Sequence, residues 1–130
     1  MRKVVSVSLG PRSRDFEFRA RLWDEDFHIR RVGTDGDAAQ ARRLVAEHDG
    51  QVDCIALAGM AVEFQVGDRI WRHQETLRIA QAARSTPVVS GRRLKRIVDR
   101  WAIRELAARE GDIFADANVL FLSGIANYDA

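Results

Sequence analysis

Val52-Asp53-Cys54-Ile55-Ala56-Leu57-Ala58 is apolar on both faces apart from Asp53. A strand with one wet face alternates, so this run reads as a central strand covered on both sides. Downstream, residues 62–66 and 69–72 form a small hairpin around Gly67-Asp68, a two-residue turn of the Gly-X kind. A helix is expected over 74–84, with Leu77, Ala80 and Ala83 inward, and a short strand from Pro87 to Ser90. The longest helix is expected over 92–109, with Leu94, Ile97, Val98, Trp101 and Leu106 as its core stripe. A last buried strand is expected over 118–123. Strands alternating with helices from residue 52 onward predict parallel pairing through right-handed crossovers.

Upstream the periodicity differs. Residues 4–9 form a first strand that ends at Gly10-Pro11. Residues 15–23 alternate, with Phe16, Phe18, Ala20 and Leu22 on one side and Glu17, Arg19 and Arg21 on the other. Trp23-Asp24-Glu25-Asp26 turns the chain into a third strand over 27–32, with Phe27 and Ile29 inward and His28 on the polar face. Short connections make these three strands an antiparallel meander, the third parallel to the first. A helix follows over 38–48, with Ala38, Ala41, Leu44 and Val45 on one stripe, and Asp49-Gly50 stops it. The expected fold class is α/β: a mixed sheet, an N-terminal meander followed by βαβ units, Rossmann-like and three-layered.

The 130 residues fit one domain, 1–130, large enough for a core without disulfides or metals. The chain also reads as a candidate N-terminal domain of a longer protein, because a buried parallel strand near residue 123 normally leads into another covering element. Cys54 is the one cysteine, which rules out an internal disulfide and favours a reducing, cytoplasmic location. No apolar run reaches the length of a membrane span. A net charge of +2 is too mild to argue for nucleic acid or an anionic membrane.

Five loops share one property. Those beginning near Ser8, Gly33, Ala58, Ser90 and Ser123 each follow a strand, and parallel strands would place them all at one carboxyl edge, where open α/β sheets bind ligands. The loops supply Arg12, Arg14, Thr34, Asp35, Ser90, Arg92, Arg93 and Asn127, a set suited to a small anionic, hydroxylated ligand. Ser90-Gly91-Arg92-Arg93-Leu94-Lys95-Arg96 starts a helix with cations that oppose the helix dipole, a reason to look for an anionic partner; solvated surface explains them equally. Thr34 or Asp37 caps the helix at 38, with Gly36 in the turn, and Asp35 is left as a hydroxyl ligand. Asp35 and Lys95 are the candidate catalytic groups. His28, His48 and His73 share no metal-ligand spacing, so no metal is expected, and Cys54 reads as a small core residue. Trp23, Trp71 and Trp101 read as core or interface anchors, and the hairpin at 62–72 with Trp71 as a homodimer contact.

Three stretches carry a family resemblance: Val4-Val5-Ser6-Val7-Ser8-Leu9-Gly10 with Arg14-Asp15, Arg31-Val32-Gly33-Thr34-Asp35-Gly36-Asp37, and Thr86-Pro87-Val88-Val89 with Gly91 and Leu94-Lys95. Together they resemble the N-terminal part of bacterial quinate 5-dehydrogenase-like proteins. The resemblance implies an oxidoreductase acting on hydroxylated cyclic carboxylates with a nicotinamide cofactor. In shikimate and quinate dehydrogenases a catalytic Lys precedes its Asp. Here Thr34-Asp35-Gly36 precedes Lys95, so that dyad is not carried over.

Two functional readings follow. In the first, the chain is the substrate-side domain of a quinate/shikimate-dehydrogenase-like oxidoreductase and binds a hydroxylated carboxylate. No cofactor is expected in these residues; NAD or NADP belongs to a longer protein. In the second, it is a stand-alone, non-enzymatic anion- or nucleotide-binding module. Arg92, Arg96 and Arg100 at helical spacing suit phosphate contacts, but no aromatic platform or helix-turn-helix pattern accompanies them, which argues against nucleic acid.

Overall fold

The computed structural model describes residues 1–66, 68–111, 113–118 and 120, without the side chains of 66, 92, 93, 95 and 96. The chain divides into two compact units. The first holds Met1–Val62 and Arg72–Ser90, the second Glu63–Trp71 and Gly91–Ala130.

The first unit is built on a five-stranded mixed sheet. Its strands are β1 (Arg2–Ser8), β2 (Phe16–Leu22), β3 (Glu25–Gly33) and β4 (Cys54–Ala58), with a two-residue strand at Val88–Val89. Two helices belong to it, α1 (Ala38–His48) and α2 (Gln74–Ala80). The second unit contains a hairpin of β5 (Glu63–Val66) and β6 (Arg69–Arg72), and the helix α3 (Arg92–Glu110). The Val88–Val89 strand is therefore β7. The α/β class and the mixed sheet are as the periodicity predicts. The strand expected over 118–123 falls almost entirely outside the described residues.

The order in the sheet is β2-β3-β1-β4-β7. β1 pairs in parallel with both β3 and β4, and β4 in parallel with β7. β2 alone is antiparallel, against β3. This corrects the expected meander: β3 does run parallel to β1, but it is inserted between β1 and β2. The segment between β1 and β2 carries a 3-10 turn at Arg12–Arg14 and crosses the carboxyl end of β3. β1 thereby gains neighbours on both sides, while the charged alternation of β2 goes to the edge.

Register fixes the two faces. Val5, Val7, Ile55, Leu57 and Val88 share one face. With Ala41 and Val45 of α1 and Ile79 of α2, its buried members form the core. α1 and α2 pack against each other on this face. Both crossovers, β3 to β4 and β4 to β7, advance in the same direction, and right-handed connections then put both helices on one side. The other face carries Phe16, Phe18, Phe27, Ile29, Val4 and Ala56.

The hairpin between β2 and β3 turns on two residues, with Leu22 opposite Glu25. Trp23 and Asp24 both hold positive φ, 48° and 64°. That is the pattern of a type I′ turn, which normally selects Asn-Gly. Trp23 is 91% exposed. Trp71 and Trp101 are exposed as well, so none of the three tryptophans is a core anchor. The stripe of α3 expected in the core is also exposed, at Leu94, Ile97, Val98, Trp101 and Leu106.

Candidate functional site

Parallel pairing brings the carboxyl ends of β1, β3, β4 and β7 to one edge. Four of the five loops expected there therefore emerge from that edge; the fifth, with Asn127, lies outside the described residues. The loop after β1 is closely fitted to the others. Leu9 N–H donates to the Ala58 carbonyl at 3.2 Å, and Gly36 N–H to the Leu9 carbonyl at 2.8 Å. The Gly10 carbonyl accepts from both Thr34 and Asp35 N–H at 3.2 Å. A Cβ on Gly33 would lie 2.7 Å from the Gly10 and Pro11 carbonyl oxygens, so this crossing needs glycine there.

Beneath the crossing sits a network of residues other than the predicted ones. Arg31 donates to Asp15 Oδ1 at 2.8 Å, to the Pro11 carbonyl at 3.1 Å and to Ser8 Oγ at 2.9 Å. Asp15 Oδ1 also accepts Gly33 N–H at 2.6 Å, and Ser8 Oγ accepts Gly10 N–H at 3.0 Å. The Arg31 side chain is 11% exposed and that of Asp15 34%. The guanidinium therefore pins both ends of the loop to β3. Arg31 follows Phe27 and Ile29 in the phase of β3 that the alternation reads as inward, which the register puts on the sheet face opposite the helices. A charge at an inward position is the sequence signal that could have found it.

Above this network lies the part open to solvent. Arg12 N–H donates to Asp35 Oδ1 at 2.9 Å, Arg12 Nε lies 3.3 Å from Asp35 Oδ2, and Arg12 Nη2 donates to Gln40 Oε1 at 2.6 Å. Asp35 holds a positive φ of 52° and Gly36 one of 89°, which brings the Asp35 carboxylate back over the 3-10 turn. Arg12 and Asp35 keep more than half of their side-chain surface exposed. Arg14 is exposed and forms no ion pair with a described residue. Asp37 caps α1, its carboxylate accepting Gln40 N–H at 2.9 Å.

The predicted residues thus separate. Arg12, Arg14 and Asp35 come together on adjoining loops. Thr34 is buried and spends its hydroxyl on the Ser8 carbonyl at 3.1 Å, a bond that holds the loops rather than a ligand. Ser90 is exposed at the end of β7, three strand spacings from β3, or about 14 Å. Arg92, Arg93 and Lys95 open α3 in the second unit.

The opposite end of the sheet is closed by structural carboxylates. Asp49 accepts N–H groups from Arg84, Ser85 and Thr86 at 2.7, 3.0 and 2.7 Å, and the Ser85 hydroxyl at 2.8 Å. The Arg84 and Thr86 amides foremost hold its carboxyl well below the usual carboxylate range. The Lys3 amide, then the Arg2 guanidinium, lower Asp53 in the same way. Burial pushes the Cys54 thiol up, away from the thiolate form. His28 bonds Glu17 at 2.6 Å on the polar face of β3, and His73 caps α2 through Thr76. Among the described residues no group of three or more His, Cys, Asp or Glu side chains could hold a metal ion. None of the described helices is long and apolar enough to cross a membrane.

Sheet, crossovers and loops define a small α/β domain whose parallel strands open onto one edge. Residues 3–90 match the model of a family described as Domain of unknown function (DUF8753), and the chain belongs to that family. The match ends at Ser90, the last residue of the sheet-bearing unit. No curated protein and no solved structure matches the chain. The resemblance to quinate 5-dehydrogenase-like proteins is thereby overturned, since no model of that family matches. The stretches that carried it answer to local demands of this fold: alternation in β1, close approach at Gly33, positive φ at Gly36 and a cap at Asp37.

Proposed function

We propose that this chain is a binding module for a small hydroxylated anion, held at the carboxyl edge of the sheet by Arg12 and Arg14. The observation that carries the reading is the fixing of Arg12. Two contacts, from Asp35 and Gln40, hold a half-exposed guanidinium in place while the Arg12 backbone N–H bonds Asp35 as well, so little side-chain entropy is lost when a carboxylate or phosphate meets its fork. Arg14 supplies a second cation on the same turn. Asp35 offers a neighbouring carboxylate to accept a ligand hydroxyl. Ser90, at the end of β7, belongs to the outer part of this reading. So does a Rossmann-like third layer over the sheet face that bears Phe16 and Phe18.

The test is thermal unfolding of the purified chain with millimolar quinate, shikimate, phosphate, ATP, NAD or NADP. A ligand at about 100 times its Kd stabilises the native state by roughly 2.7 kcal/mol. The expected result is a rise in Tm with at least one of these, abolished in Arg12→Ala/Arg14→Ala. No rise with any of them, or a rise that survives the double substitution, removes the reading.

A further inference from the structure

We propose that β2 is a self-association strand: two copies of this chain pair their β2 edges antiparallel, about a two-fold axis at Phe18, and join their sheets into one. The inference is independent of the ligand site. β2 ends the sheet, and its seven residues pair on one side only, with β3. Six of the seven are exposed. Edge strands are normally blunted by proline, a bulge, shortness or inward charge. β2 has neither proline nor bulge: its pairing with β3 is unbroken from Phe16 to Leu22, with Phe16, Phe18, Ala20 and Leu22 on the face opposite the helices and Glu17, Arg19 and Arg21 on the other. Phe16 and Phe18 are both 47% exposed, with ring centroids 5.6 Å apart.

Charge selects the occupant and the register. In antiparallel pairs that keep the apolar faces on one side, an axis at Phe18 sets Glu17 against the partner's Arg19, twice. It also sets Phe16 against the partner's Ala20 and Phe18 against its own copy. An axis at Glu17 or at Arg19 sets a like-charge pair at the centre. An axis at Ala20 sets Arg19 against the partner's Arg21. Of the registers centred from Glu17 to Ala20, which overlap most of the strand, one is therefore free of repulsion. Within the chain Arg21 lies near Asp24 and Asp26, at 3.9 and 3.8 Å, and Glu17 bonds His28. Arg19 forms no ion pair with a described residue, so its charge awaits the carboxylate that the partner's Glu17 would bring.

Sedimentation velocity of the full chain over a concentration series tests this. The expected species has twice the 14.7 kDa chain mass. Arg19→Glu and Glu17→Arg each replace two attractive cross-strand pairs by repulsive ones and should raise the dimer Kd roughly ten- to hundredfold. The exchange Glu17→Arg/Arg19→Glu should restore the dimer, and Trp71→Ala on the β5–β6 hairpin should leave it unchanged. Circular dichroism checks that each variant is folded; the charge exchange provides the decisive comparison because it keeps composition and net charge. A wild-type chain that stays monomeric overturns the proposal. So does a dimer indifferent to Arg19→Glu, one not restored by the exchange, or one abolished by Trp71→Ala.

Discussion

Removing the Asp15 carboxylate tests whether the loop over β3 is held by the network beneath it. In Asp15→Ala, Arg31 keeps the Ser8 hydroxyl and the Pro11 carbonyl but loses its counter-charge, and Gly33 N–H loses its acceptor. Breaking a buried ion pair from one side costs about 3–5 kcal/mol. Asp15 is a third exposed, so water can reach the vacated place, and the expected cost falls to about 2–3 kcal/mol. Arg31→Met should cost less, about 1 kcal/mol, because the stem is replaced by an apolar chain and Asp15 retains Gly33 N–H and solvent. The double variant should fall short of the sum by about 1 kcal/mol or more. Urea unfolding followed by far-ultraviolet circular dichroism reads this directly. With a slope of about 2 kcal/mol/M, Asp15→Ala should lower the midpoint by about 1 M or more at unchanged slope. A loss under about 0.5 kcal/mol, or additive single variants, would show an ordinary surface pair and refute the reasoning.

Gly33→Ala should cost about 1–3 kcal/mol in the same unfolding experiment, because its Cβ would meet backbone oxygens at 2.7 Å. Gly36→Ala, with open space around the site but a φ of 89°, should cost about 1 kcal/mol from backbone strain alone. Ile55→Ala, fully buried beneath the helices, should cost about 2–5 kcal/mol. Asp49→Asn should lower Tm at neutral pH. The native-state pKa of Asp49 lies below its unfolded value, so its stabilising contribution is complete above about pH 4 and fades as the pH falls further. The Tm gap between wild type and Asp49→Asn should therefore narrow in acid; a gap independent of pH counts against the anchoring role.

Local periodicity was enough to read most elements. The α1 stripe emerged at its full length, and β4 was legible because its run Cys54-Ile55-Ala56-Leu57-Ala58 carries no charged alternation, with Ile55 and Leu57 buried on the core face. Strand order was not legible. A short connection suggests that β1 and β2 are neighbours, and nothing local reveals that Pro11 and the Arg12–Arg14 turn carry the chain across the end of β3. That decision rests on long-range pairs: the Arg31–Asp15 bridge, the Gly33–Asp15 bond and the close approach of the Gly10 and Pro11 backbone to Gly33.

The same cause divides the candidate site. Charged and hydroxyl residues in loops after strands look alike in sequence, whether they serve a ligand or the fold. Thr34 spends its hydroxyl on Ser8, and Arg31 spends its donors on Asp15, Pro11 and Ser8. Burial makes the difference, because a buried polar group must find its partner within the chain. Arg12 and Asp35 are exposed and already bonded, so they are placed groups with donor and acceptor capacity left over. That combination of fixed position and remaining capacity is what favours this corner of the carboxyl edge as a place for a ligand.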